Sequence, residues 1–432
     1  MDVATYSEGW PAPVATAPLN AHLVIPGSKS LTNRELVLAA LASGPSTLHA
    51  PLVARDTELM ADALRALGAT IDVSPDAWRV IPGELRGGVE IHAGLAGTVM
   101  RFVPPVAALA DGLVTIDGDE HARKRPMRTT IEALRFLGVE VDDGGRDALP
   151  FTICGTGSVE GGEVTIDASA SSQFVSGLLL AAPRFRDGLV LRHAGERLPS
   201  LPHIDMTIDA LARRGVTVSN PDPTTWVVSP GPITGADVAI EPDLSNAGPF
   251  LAAALLAGGH VTIAGWPEAT TQVGDLFATL LPHFGATVTR DADGLTVDGG
   301  DGWRGGRTWP GADLDLTEGG ELAPTFAALA ALATTASRIT GIGHLRGHET
   351  DRLAALVAEI SGLGGRVTEL VDGLAFEPAA LHGGFWQTYA DHRMATTGAL
   401  LGLVVPGIVV DDIATTAKTL PEFPDLWEQM RA

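Results

Sequence analysis

The chain has 432 residues, and its 52 acidic against 29 basic side chains give a formal charge of −23. Such an excess of negative charge excludes general binding to nucleic acid or anionic membranes, which needs a surplus of basic surface. The single cysteine, Cys154, excludes an internal disulfide framework and any multi-cysteine metal site.

In chain order the sequence repeats one phrase: an apolar segment rich in Ala and Leu, then an amphipathic segment that ends in Gly and runs into a β-like stretch. RELVLAALAS precedes ALRALGATI (Gly68), TVMRFVPPVAALA precedes ALRFLGVEV (Gly138), and QFVSGLLLAAP precedes ALARRGVTV (Gly215). NAGPFLAAALLAGG then precedes LLPHFGATV (Gly285), and APTFAALAALA precedes ISGLGGRV (Gly364). A sixth copy opens with DHRMATTGALLGLVV and closes with LPEFPDLWEQM, and the glycines recur at intervals of 70, 77, 70 and 79 residues.

Each copy reads as a βαβαββ unit whose second helix stops at a glycine cap. The first helix is apolar almost all round, so it belongs inside the structure with the sheets outside it. Six units exceed one hydrophobic core, which rarely grows past about 250 to 300 residues, and divide into two domains of three. The predicted fold is therefore α/β, with two inside-out domains of three βαβαββ units each. The sixth unit lacks its last strands, and the N-terminal HLVIPG segment is expected to supply one and make the first domain discontinuous. A non-enzymatic repeat scaffold is the alternative of another class, but arrays of that kind use shorter units of about 20 to 50 residues.

The helix starts carry the chemistry. Those of the apolar helices hold Ser28, Lys29, Ser30 and Arg34; Gly97 and Arg101; Ser171, Ser172 and Gln173; Gly320 and Glu321; and Asp391 to Arg393. Those of the second helices hold Arg125, Ser200, His203, the run from His344 to Arg352, and Lys418. Only three lysines occur in the chain, and Lys29 and Lys418 are two of them; Lys124 is the third. Free N–H groups and the positive end of the macrodipole make helix N-termini ready anion sites. One Ser or Thr there is ordinarily just an N-cap, yet here Lys, Arg and Gln accompany them repeatedly. An enzyme for small polyanions is the implied class.

Three other signals are set aside. Gly27-Ser28-Lys29-Ser30 lacks the upstream glycine and the spacing of a Walker A loop. His344 and His348 stand four apart, but no third zinc ligand follows. Cys154 lies in the strand-like FTICG with no neighbour that would activate a thiolate.

PGSKSLTNRELVLAAL, LAGTVMRF, the RPM at 125–127, DASASSQFVSGLLLAAP, HETDRL, YADHRMA and KTLPEFPDLW together resemble the 5-enolpyruvylshikimate-3-phosphate synthase family of actinobacteria, in family order from Val24 to Trp427. The resemblance implies one domain of residues 1–26 with 242–432, a second of 27–241, and an active site in the cleft between them. It implies transfer of the enolpyruvyl group of phosphoenolpyruvate to the 5-hydroxyl of shikimate 3-phosphate, releasing phosphate. Lys29, Ser30, Arg34, Ser171, Ser172, Gln173, Ser200, Glu321 and His348 would contact shikimate 3-phosphate. Lys29, Gly97, Arg125, Gln173, Arg352, Arg393 and Lys418 would surround phosphoenolpyruvate. Glu321 would be the base, at a position where many relatives carry Asp, and Glu349 and Lys29 are both candidates to protonate the methylene carbon. His348, His344 and His203 depart from the family's Lys, Asn and Tyr. No cofactor or metal is implied, no nucleic acid or membrane partner, and a cytoplasmic monomer is expected. The related UDP-N-acetylglucosamine enolpyruvyl transferase is the enzyme alternative, but its loop cysteine would fall between Asp117 and Arg125, where none occurs.

Overall fold

In the computed structural model the structure describes residues 9–74 and 76–432. The chain divides into two compact units, one of residues 9–25 with 242–432 and one spanning Pro26–Glu241. Each has its own apolar core.

Within Pro26–Glu241 three helices, Lys29–Leu41, Gly97–Ala107 and Gln173–Ala181, pack against one another and are buried along almost their whole length. Their apolar residues lie on every side, so only an interior position satisfies them. Gly177 shows how close two of them come, because a Cβ there would lie 2.2 Å from Arg101 O. Three amphipathic helices, Arg55–Ala66, Arg128–Phe136 and Leu201–Arg213, bury one face each. They end before Gly68, Gly138 and Gly215 at φ +122°, +83° and +80°, the left-handed region that favours glycine.

Three four-stranded sheets complete this unit, each with one parallel pair followed by two antiparallel pairs. Val89–His92, for example, runs parallel to Asp111–Asp117, which pairs antiparallel with Phe151–Thr156 and so leads to Glu140–Asp142. The first sheet takes its parallel strand, Asp237–Ala239, from the far end of the unit, where it pairs with Ser46–His49.

The other unit repeats this plan around Leu244–Ala257, Ala323–Ala331 and His392–Gly402, except that among the described residues its last sheet has three strands. The final helix, Phe423–Arg431, docks through Phe423 and Trp427, which stack on each other at 5.1 Å and meet Phe250 of the first of these helices tilted and edge-on at 5.5 and 5.4 Å. Here the expected strand exchange needs correction. The strand overlapping the start of HLVIPG, Leu19–Leu23, does not complete the sixth unit; it pairs in parallel with Gly259–Ala264 of the fourth. Trp10–Pro11 serves the sixth unit instead, antiparallel to Ile408–Val410. The reason is symmetry: Leu19–Leu23 is the parallel edge strand of its sheet, the place that Asp237–Ala239 takes in the other unit.

Candidate active site

In the unit Pro26–Glu241 the three inner helices begin side by side. Ser28 caps the first, its Oγ accepting from Leu31 N, and exposes Lys29, whose Nζ lies 3.4 Å from the buried carboxylate of Asp56. Asn33 Nδ2 donates to Thr98 Oγ1 at 2.7 Å, fixing the first helix against the second. Gly97 opens that second helix, and a Cβ on it would stand 3.1 Å from Gln173 Oε1 and 3.3 Å from both Arg101 Nη1 and Arg125 Nη2. The absent side chain thus leaves a cradle where an amide and two guanidinium groups converge. Arg101 is stacked on Phe174 at 5.6 Å, and Arg125 donates to Leu95 O at 3.3 Å.

The third inner helix starts from a built turn. Asp167 Oδ1 accepts from Ser169 N at 2.9 Å, and the hydrogen bonds from Ser169 hold its carboxyl below the usual carboxylate range. His193 Nδ1 accepts from Ala168 N at 3.1 Å, with burial pushing the imidazole down, which preserves that acceptor. Ser171 Oγ then accepts from Gln173 N at 3.2 Å, and Ser172 occupies the cap position. Ser200 takes the left-handed conformation at φ +55° immediately before Leu201–Arg213. Arg34 donates to Thr207 Oγ1 and His203 O at 2.8 Å and to Ser30 O at 2.9 Å, tying two helices together beside Phe102.

The other unit gathers a second cluster. Arg352, 2% exposed, begins its helix and donates twice to Asp391, at 2.7 and 3.1 Å. Its Nη2 also reaches Glu349 Oε2 at 3.0 Å, and its Nη1 lies 3.4 Å from His348 Nδ1. Burial disfavours the Arg352 charge, but Asp391 and then Glu349 outweigh that, so its pKa sits above the ordinary arginine value. The other oxygen of Glu349 bonds Lys418 Nζ. Asp391 also caps the helix His392–Gly402 through Arg393 N, and Arg393 donates to Ser245 O at 2.7 Å while its Nη2 lies 3.6 Å from Glu321 Oε1. His344 fits edge-on against His348 because Gly320 is small: a Cβ there would lie 2.6 Å from the imidazole.

Tyr389 and Ala390, just before this cap, both have φ +55°. Two consecutive non-glycine residues in that region cost about 1–2 kcal/mol each, so the surroundings must hold them there.

The structure thus brings Gly97, Arg101, Arg125 and Gln173 together in one unit, and His348, Glu349, Arg352 and Lys418 with Asp391 in the other. One correction concerns Lys418, which was expected to start a helix. It ends the 3₁₀ turn Ile413–Lys418, because Asp412 caps that turn at Ala414 N and the next helix waits until Phe423. The sequence reading placed Asp391 at a helix start but gave it no role, and it gave none to Asp56 or Asn33. Asp391 had a signal, since an Asp directly before an apolar helix is an N-cap pattern, but nothing local revealed its bond to Arg352.

The profile of the EPSP synthase (3-phosphoshikimate 1-carboxyvinyltransferase) family matches residues 14–427. The chain belongs to the EPSP synthase family. A 3-phosphoshikimate 1-carboxyvinyltransferase of Kocuria rhizophila is 58% identical over 434 aligned positions, covering 98% of this chain and 96% of that protein. An EPSP synthase structure from Acinetobacter baumannii superposes with TM-score 0.79 at 22% identity, covering 98% of this chain and 97% of the other. The enolpyruvyl transferase NikO of Streptomyces tendae gives 0.77 at 17%, covering 98% of both chains, and these two likenesses speak to the fold alone. As an EPSP synthase family member the chain is a transferase of aromatic amino acid biosynthesis, and the scaffold and UDP-N-acetylglucosamine alternatives are not favoured. Among the described residues no helix is long and apolar enough to cross a membrane.

Proposed function

We propose that the two clusters bind shikimate 3-phosphate and phosphoenolpyruvate and move the enolpyruvyl group between them. The observation that carries this reading is the Glu349 carboxylate held by Lys418 and Arg352, both nearly buried. A cation pair that grips the protein's own carboxylate is chemically suited to a ligand carboxylate or phosphate. Together the two ligands carry about five to six negative charges, which accounts for cations at Lys29, Arg34, Arg125, Arg352, Arg393 and Lys418.

Ser171, Ser172 and Ser200 supply neutral donors for the shikimate phosphate, and Lys29, Ser30, Arg34, Gln173, Glu321 and His348 complete the same ligand set. Gly97, Arg125, Gln173, Arg352, Arg393 and Lys418 hold phosphoenolpyruvate, and Lys29 serves both ligands. Glu321 takes the proton of the 5-hydroxyl as its oxygen bonds to the central carbon of phosphoenolpyruvate, while Glu349 or Lys29 delivers a proton to the methylene carbon. The tetrahedral intermediate then loses a proton from the resulting methyl group and expels phosphate, whose charge the arginines stabilise. The enzyme is read as a cytoplasmic monomer that needs no cofactor or metal and binds neither nucleic acid nor membrane.

The experiment is phosphate release from the purified protein with each ligand alone and with both. Release that requires shikimate 3-phosphate and phosphoenolpyruvate together supports the reading; release with one alone, or none with both, contradicts it.

A further inference from the structure

Two left-handed, non-glycine residues stand directly before the cap that Asp391 makes, and the helix that begins with Arg352 holds both ends of this turn. At its start Arg352 donates twice to Asp391. Seven residues later, two turns along the same face, Glu359 accepts from Tyr389 Oη at 2.6 Å with one oxygen and from Gln387 N at 2.9 Å with the other. Glu359 is 8% exposed, so these bonds are sheltered from water. The Tyr389 hydroxyl is correspondingly hard to ionise, pushed up to about 12 by burial and by the Glu359 carboxylate. A third fixing point is Asp411, whose Oδ1 accepts from Thr388 N at 2.9 Å.

The turn that these three residues fix aims Asp391, and Asp391 aims both Arg352 and Arg393 N. We propose that Glu359 and Tyr389 are positioning residues that clamp the turn at residues 388–391 and so set the geometry of the phosphoenolpyruvate arginines. This rests on the placement of phosphoenolpyruvate at Arg352 and Arg393 given above.

The test is steady-state kinetics on the full chain. Tyr389→Phe deletes one hydroxyl and should raise KM for phosphoenolpyruvate about tenfold, since sub-ångström misplacement of such groups is costly. KM for shikimate 3-phosphate should change by less than about twofold, because the hydroxyl acts only on the arginine side. Glu359→Gln keeps an acceptor oxygen and should be milder than Glu359→Ala. Ala390→Gly removes the side chain that resists the left-handed turn, so adding it to Tyr389→Phe should restore most of the lost affinity. An unchanged phosphoenolpyruvate KM in Tyr389→Phe, whatever its melting temperature, overturns the proposal, as does an equal rise in both KM values. Arg352→Lys and Arg393→Lys run in parallel separate the two claims: if they also leave that KM unchanged, the ligand placement itself has failed.

Discussion

Each unit buries an arginine in an ion pair with one carboxylate, but the two pairs lead to different places. In Pro26–Glu241 the pair is Arg214 with Glu35, both fully buried; the guanidinium also donates to Ser46 Oγ at 3.0 Å and Thr234 O at 3.2 Å. Those further bonds end on neutral groups of the scaffold. In the other unit the pair is Arg352 with Asp391, and the guanidinium continues to Glu349 and His348, with Glu349 passing on to Lys418. A buried ion pair is therefore no mark of a site by itself. What distinguishes the two is where the guanidinium's remaining hydrogen bonds go: those of Arg214 end on neutral groups, with Glu35 passing on only to the half-exposed Arg213 at 3.7 Å, whereas those of Arg352 reach Glu349 and His348.

Removing one partner of such a pair strands a buried charge and costs about 3–5 kcal/mol. Glu35→Ala should show that loss in urea unfolding, while the enzyme that remains folded keeps both KM values. Asp391→Ala should lose a similar amount and, in addition, bind phosphoenolpyruvate more weakly. If Glu35→Ala shifts ligand affinity as much as Asp391→Ala does, the contrast between the two pairs is wrong.

A smaller effect is expected at Gly97. An added methyl meets Gln173 Oε1 at 3.1 Å and two guanidinium nitrogens at 3.3 Å, contacts that need shifts of a few tenths of an ångström. Gly97→Ala should therefore raise KM for phosphoenolpyruvate by about tenfold through the displaced Arg125 and Gln173, with thermal stability little changed. A normal KM would show that this cradle does not face the ligand.

The smallest concerns Asp143, away from either cluster. Its hydrogen bond from Arg135, then those from Asp147 N and Gly145 N, hold its carboxyl near pH 2 against 3.8 for a free one. Because the folded pKa is the lower, the stabilisation is complete above about pH 4 and is lost as the pH falls toward 2. The contribution is about 1 kcal/mol, and Asp143→Asn should flatten acid unfolding in that window. Equal acid sensitivity in the variant would remove the group from the account.

The six-fold plan was legible because its signals are local. Glycine caps, all-apolar helices and short strands can be read within a single unit, and the caps at Gly68, Gly138, Gly215, Gly285 and Gly364 all adopt positive φ. Strand exchange was not, since Trp10–Pro11 and Leu19–Leu23 differ in destination only through distant pairing partners. The same limit applies to the ion pairs. Glu35 and Arg214 are 179 residues apart and Arg352 and Asp391 are 39 apart, so only the folded chain joins them. The left-handed turn at Tyr389-Ala390 had no sequence signal, because neither residue type favours that conformation.

The central claim is a division of labour in which serines near the inner-helix starts of one unit bind, while the Glu321 carboxylate of the other takes the 5-hydroxyl proton. Steady-state kinetics of Ser172→Ala beside Glu321→Ala tests it most directly. The account predicts that Ser172→Ala raises KM for shikimate 3-phosphate with turnover largely kept. Glu321→Ala should lower kcat by about 10²–10⁴-fold with that KM nearly unchanged. A Glu321→Ala enzyme with normal kcat, or a Ser172→Ala enzyme that loses kcat and keeps its KM, would contradict it.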